Sequence, residues 1–496
     1  LIFVGKDEVL LDDSRRMHNK LVSSGCTSEL VEAEGMWHAY VLYCIKERAC
    51  DLDRINAFLN RFLSHERKLR WMRLDNAAKI YPAAKRRKWN NFFRLSATLC
   101  DEVDKTVLRN AMDVTMRRFP SIAVRLCRGA FWYYLEELSS APEITDEKSW
   151  PLAHTPFESI NECALRVIVY KNRIAVEFYH ALTDGTGGMV FLKSLLAEYI
   201  EQKYGVEIPN ECGVLDRLTQ PQEEELEDSF SKNAGSVSVS RNASTAFKIH
   251  YTPERDDFRH LTTFILDSTA ALAAAKSCGV SLTVYLTSAM LLALQRIQDE
   301  QTPDKRRQKP IRVVVPVNLR RLFPSRTLRN FVHVIMPEID PRMGDYEFSE
   351  ILTSVKHQLG LLVTKKNLCA MFTPNVNAER SPLLRVMPLF LKNIAMKLVY
   401  DTVGERTNCL NLSNLGDIKV PDAMRRYVTR FDFILGVQAT KPNNCGVLSY
   451  NGKLYMNFIR NTVEPVLEFQ FYQVLRELGL HVKVESNGAG NISDSN

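Results

Sequence analysis

The run Arg173-Ile-Ala-Val-Glu-Phe-Tyr179, followed directly by His180-Ala-Leu-Thr-Asp184-Gly185 and then by Met189-Val-Phe-Leu-Lys-Ser-Leu-Leu-Ala-Glu-Tyr-Ile200, decides the fold. The first run alternates like a half-buried strand, and the last has helical spacing. A histidine therefore sits where a strand ends. An aspartate follows four residues on, in a turn with Gly185, Gly187 and Gly188. An imidazole at a strand end can face a cleft and take a proton from a hydroxyl or amine near neutral pH. Asp184 is too close in sequence for an easy proton relay, so its expected role is to fold the turn by pairing with a distant cation.

The 496 residues are 45% hydrophobic and 25% charged, a globular composition long enough for more than one domain. The net charge of +7 is small for this length. It suits mild attraction to an anionic ligand and equally a solvated basic surface. No nucleic-acid partner is expected. Eleven cysteines without C-x-x-C spacing point to reduced thiols and a cytoplasmic location, with no metal site. No apolar run reaches 18 residues. The longest, Leu383 to Val403, is broken by Arg385, Pro388, Lys392 and Lys397. It reads either as a half-buried core helix, which is favoured, or as a surface helix touching lipid.

Working outward, Trp89 to Ala97 reads as a strand, and Asp104 to Phe119 as a helix ended by Pro120. Ile122–Leu126 with Phe131–Leu135, and Ala164–Tyr170 with Ile174–Phe178, read as hairpins. Leu218 to Ser244, with Glu223, Glu224, Glu225, Glu227 and Asp228, reads as a solvated acidic linker. Beyond it come a strand at Leu261–Asp267, a helix from Thr269 capped by Ser268, and an apolar helix capped by Ser281. A buried strand Ile311–Val317 leads into Asn318-Leu-Arg320-Arg321. Leu410–Gly416, Ile434–Ala439, Gly446–Tyr450 and Lys453–Ile459 complete the strands.

His180-x-x-x-Asp184-Gly185, with Pro316-Val-Asn-Leu-Arg320 and Ser413-Asn414-Leu-Gly416 in that order, resembles the CoA-dependent acyltransferase superfamily. That group includes chloramphenicol acetyltransferase, the BAHD enzymes and condensation domains, and the nearest branch is the alcohol acetyltransferases. Tyr179 departs from the His-His of many condensation domains and wax-ester synthases. The resemblance implies an α/β fold of two lobes with mixed sheets and an interlobe tunnel: 67–217, a linker 218–248, and 249–485, with a disordered tail 486–496. It implies His180 as general base and Asp184 paired with Arg320, or with Arg321. Gly185 serves backbone approach. Ser413 and Asn414 are oxyanion donors or, equally, a turn capping its own backbone. The co-substrate is acyl-CoA with no permanently bound cofactor, the acceptor a small or lipid-like alcohol, and the expected state a monomer with membrane-surface contact as an option. An amine acceptor, a carrier-protein donor or a non-catalytic binding role remain alternatives.

Residues 1–66 carry a different pattern. The strand-like Leu1-Ile-Phe-Val-Gly5, then Asp7 (or Glu8), a helix to Gly25, a strand at Ser28–Gly35, and Gly35-Met-Trp-His38 resemble the last part of an α/β-hydrolase of the hormone-sensitive-lipase type. Asp7 matches the acid of that family's triad and His38 its base. No Gly-x-Ser-x-Gly elbow is present. An acid and base without a nucleophile form no acyl-enzyme, so the expectation is either a fragment of a larger hydrolase–acyltransferase fusion that also carries an esterase domain, which is favoured, or a remnant.

Overall fold

The computed structural model describes residues 1–26, 28–37, 40–42, 51–55, 57–58, 69–83, 91–154, 156–239, 244–255, 257–401, 406–438 and 441–488. The chain divides into two compact units, Leu1–Lys68 and Leu69–Asn496.

In the first unit, strand Ile2–Gly5 pairs parallel with Leu30–Ala33, and helix Leu11–Ser23 connects them. A parallel pair needs such a crossover. The helix has no buried residue. Asp7 is exposed just past the first strand, and His38 lies outside the described residues.

The second unit has two lobes. In the first, five strands run in the order Val428–Ile434, Phe92–Leu99, Arg173–Tyr179, Leu165–Tyr170 and Ile144–Asp146. Two helices cover this sheet. Lys105–Arg118 is capped by Asp104, whose carboxylate accepts from Thr106 N and Val107 N; Gly185–Tyr204 is apolar nearly all round. Such a helix belongs inside a core. A small sheet of Trp71–Arg73, Tyr133–Glu137 and Val124–Arg128 lies beside it.

The second lobe is a mixed eight-stranded sheet. Its order is Val332–Ile335, Ile311–Asn318, Leu410–Asp417, Asn443–Tyr450, Lys453–Arg460, His260–Asp267 and Lys483–Ser486, with Glu338–Ile339 also pairing Ile311–Asn318. The Leu282–Gln301 helix, capped by Ser281, packs on it with Val466–Glu477. Each lobe has its own apolar core. A third cluster, including Phe230, Leu319, Phe323, Phe331 and Phe372, lies under the turn that carries Arg320.

Four sequence expectations change. The strand expected at Ile434–Ala439 is instead Val428–Ile434, and it pairs antiparallel with Phe92–Leu99 of the first lobe. Gly436 follows it so closely against the Phe92 carbonyl that a Cβ there would lie 2.5 Å from the oxygen. Asp267, not Ser268, caps the Ser268–Ser277 helix, because its carboxylate accepts from Ala270 N. Leu383 to Val403 is not a half-buried core helix. It breaks at Pro388 into Pro382–Val386 and Leu389–Val399, and most of its large apolar side chains face outward.

The fourth change concerns the acidic segment after Leu218. It folds into Glu223–Leu226 and Ser229–Asn233, and Glu225 is buried. Both guanidinium Nη atoms of Arg118 donate to that carboxylate, at 2.5 and 2.7 Å. The Glu225 carbonyl accepts from Leu328 N at 2.8 Å. The segment thus ties the first lobe's helix to a second-lobe loop. Removing one partner of a buried pair strands the other charge, so Arg118→Ala is expected to cost about 3–5 kcal/mol, read as a lower urea midpoint, while Lys276→Ala, at an exposed helix position, stays within about 0.5 kcal/mol.

Candidate active site

His180 follows the last residue of its strand. Its backbone N–H donates to Asn91 O at 2.9 Å, and its carbonyl accepts from the Asn330 amide at 3.0 Å. The first contact continues the sheet edge and the second comes from the other lobe. Tyr81 stacks on the imidazole at 4.6 Å between centroids, and Phe93 meets it edge-on at 5.1 Å. The residue is partly exposed, but Nδ1 is buried with no hydrogen-bond partner among the described residues. Burial pushes the imidazole below its ordinary value of 6.5; its own backbone, the Asp184 charge and Asn330 pull the other way. The ring is therefore neutral near pH 7, the state a base needs.

Asp184 is buried and fully occupied. Oδ1 accepts from Thr186 N and Gly187 N, capping the Gly185–Tyr204 helix. Oδ2 accepts from Arg320 Nη1 at 2.7 Å and from Phe331 N at 2.9 Å. Arg320, not Arg321, is its cation. The same guanidinium donates to Thr327 O and Arg329 O, so second-lobe backbone fixes its direction. Thr183 Oγ1 donates to Leu328 O at 2.6 Å, and Asn318 Nδ2 to Thr186 Oγ1 at 3.1 Å. The turn after His180 is held across the lobe boundary by five side-chain contacts that involve residues 318–331.

The glycines of the turn allow this closeness. A Cβ on Gly185 would lie 2.7 Å from Leu415 Cδ2. One on Gly187 would run into the Leu328 carbonyl and Thr183 Oγ1. Gly187 is the more constrained of the two, because backbone cannot move aside as a leucine tip can.

Asn414 lies on the strand Leu410–Asp417 and is committed locally. Its Oδ1 accepts from Gly416 N at 2.8 Å, and its amide donates to Thr283 Oγ1 at 3.2 Å. Of the two roles open to it, this geometry is that of the self-capping turn. Ser413 is buried and its hydroxyl makes no hydrogen bond to another described residue.

Three residues of the site escaped the sequence reading: Asp75, Tyr81 and Asn330. Asp75 is wholly buried. It accepts from Ala78 N at 2.7 Å and from Asn330 Nδ2 at 3.4 Å, with Arg329 Nε 3.7 Å away. Burial pushes its carboxyl up to about 6, against the pull of Arg329. One amide thus bridges Asp75 and the His180 carbonyl. The signal available was Asp75 three residues before Ala78, a turn-capping spacing. Next to this cluster lies a cavity lined by Leu74, Lys79, Trp132, Tyr133, Leu389, Lys392, Asn393 and Met396; His180 is not in its wall. No group of three or more His, Cys, Asp or Glu placed to hold a metal occurs among the described residues.

No protein-family model matches the chain, and no curated protein sequence matches it. Solved structures do match. TRI101 of F. sporotrichioides, complexed with coenzyme A and T-2, aligns with a TM-score of 0.56 at 10% identity, over 84% of this chain and 99% of its own. The starter condensation domain of rhizomide synthetase RzmA, a variant in complex with C8-CoA, aligns at 0.52 and 13% identity, over 82% of this chain and 94% of its own. The first condensation domain of the CDA synthetase aligns at 0.51 and 12% identity, over 82% and 95%.

The chain has the CoA-dependent acyltransferase fold.

Within that fold, the two lobes meet at the His180 turn. The glycines make a test of this packing in which the sign matters. Gly187→Ala is expected to lose about 1–3 kcal/mol by overpacking. Gly360→Ala, in the helix Phe348–Leu362 with open space around it, is expected to gain up to about 1 kcal/mol from helix propensity. Denaturant melts of the two variants read both.

Proposed function

We propose that the chain is an acyltransferase that moves an acyl group from acyl-CoA to an alcohol, with His180 as general base. One observation carries this reading: a histidine at a strand end, its backbone held from both lobes and its imidazole pushed below its ordinary value by burial, beside a carboxylate already saturated by Arg320 and backbone donors. Because Asp184 has no free lone-pair direction toward His180, it is a scaffold and not a relay. With Nδ1 buried, Nε2 is the nitrogen left to meet the acceptor.

In the proposed reaction the acceptor hydroxyl gives its proton to Nε2 as its oxygen attacks the thioester carbonyl. A tetrahedral oxyanion forms. Its collapse breaks the C–S bond, and the leaving thiolate takes the proton back from the imidazolium. Transfer is direct within a ternary complex, in a tunnel between the lobes, with no acyl-enzyme. Ser413, whose hydroxyl is uncommitted among the described residues, is the better oxyanion donor of the Ser413–Asn414 pair. Coenzyme A and C8-CoA in the two fold relatives support a CoA thioester as donor. The condensation domains among those relatives make an amine acceptor the second reading.

The test is release of free thiol from acetyl-CoA and longer acyl-CoAs against alcohols and amines. His180→Ala is expected to lose about 10²–10⁴-fold; equal rates for the two proteins reject the base. Preference for amines selects the second reading.

The pH profile gives a separate prediction. A base held below its ordinary value stays unprotonated into mild acid, so the acid limb of kcat/KM falls below pH 6.5. Asp75, at about 6, titrates in the same window. Asp75→Asn is expected to leave that limb in place, which assigns it to the imidazole.

A further inference from the structure

The helix Leu389–Val399 is built inside out. Its inward side carries Leu389, Lys392 and Asn393. Lys392 Nζ lies 3.6 Å from the centre of the Trp132 ring and donates to Phe131 O at 2.9 Å. Asn393 donates to the Tyr133 hydroxyl at 3.1 Å. The outward side carries Phe390, Leu391, Ile394, Leu398 and Val399, between 43% and 65% exposed. Positions 390, 394 and 398 are each one turn apart and form a stripe. Val386, on the short helix before it, is 68% exposed. A surface helix of a globular protein normally turns this pattern the other way.

Charge says what covers the stripe. From Ser381 to Tyr400 the sequence has Arg385, Lys392 and Lys397 and no acidic residue. Arg385 and Lys397 are exposed beside the apolar side chains. Asp401, four residues past Lys397, is the nearest acidic residue after the helix; an apolar stripe whose flanking charges are net positive fits an interface of acyl chains and anionic headgroups. Area argues against a second copy of the chain. The outward side chains of one 11-residue helix offer on the order of a few hundred Å², against about 800 Å² per partner in a stable dimer.

We infer that the outer face of the Leu389–Val399 helix docks on the surface of a lipid bilayer containing anionic headgroups. This inference does not depend on the acyl-transfer reading. No single described helix is long and apolar enough to cross a membrane; the contact is peripheral, with the helix lying in the interface.

The experiment is co-sedimentation of the full chain with phosphatidylcholine–phosphatidylserine vesicles and with pure phosphatidylcholine vesicles, beside sedimentation velocity without lipid. The chain is expected to pellet with the mixed vesicles, and more weakly with the neutral ones. Ile394→Glu with Leu398→Glu is expected to lower partitioning about tenfold or more, and Lys397→Gln about fivefold on anionic vesicles only. Met343→Glu, at a residue 82% exposed elsewhere, serves as control and is expected to pellet like the unmodified chain. All changed residues are exposed, so circular dichroism is expected to be unchanged. No pelleting, equal pelleting of the double variant, or a dimer in velocity runs that the double variant abolishes would each overturn the inference, the last by assigning the face to a second copy.

Discussion

The ion pair between Asp184 and Arg320 is the constraint on which the rest of the second unit depends. Breaking a buried pair is costly even where making it gains little, because the abandoned charge stays buried. Here the cost would fall on a junction. Asp184 caps the Gly185–Tyr204 helix of one lobe, and its second oxygen is held by Arg320 and Phe331 of the other. The four donors also fix what the carboxylate cannot do, since none of its capacity is left for the imidazole. His180 is thereby placed by its backbone, through Asn91 and Asn330, while its ring is positioned by packing against Tyr81 and Phe93.

Two other features make the lobes one body. The strand Val428–Ile434 leaves the second-half sequence and joins the first lobe's sheet. The acidic segment docks Glu225 onto Arg118 and returns its backbone to Leu328 and Thr327. The second attachment adjoins the Leu328–Phe331 stretch that grips the His180 turn. A linker that looked like solvated charge is part of the clamp.

Much of this was legible in the sequence because local rules act alone there. The strand–turn–helix around His180, the two hairpins, the helix from Asp104 and the cap at Ser281 follow from periodicity and spacing. Arg320, with Arg321 as its alternative, came only from the resemblance of Pro316–Arg320 to a family segment. What stayed hidden depends on tertiary partners. Glu225 reads like its exposed neighbours until Arg118 is brought to it. Val428–Ile434 is interrupted by Arg430 and Asp432, which pair with each other on the strand, so its alternation is masked. The Leu389–Val399 helix defeats the usual rule, because Lys392 faces in while Phe390, Leu391, Ile394 and Leu398 face out. Asp75 and Asn330 lie some 255 residues apart, and no periodicity connects them.

The central claim is that one cross-lobe ion pair holds the turn bearing His180. A double-mutant cycle of Asp184→Ala and Arg320→Ala, measured by equilibrium unfolding, tests it most directly. The account predicts a coupling energy of about 2–3 kcal/mol, the second change adding little once the first is made. Two losses that simply add would show that the residues act independently and would contradict it.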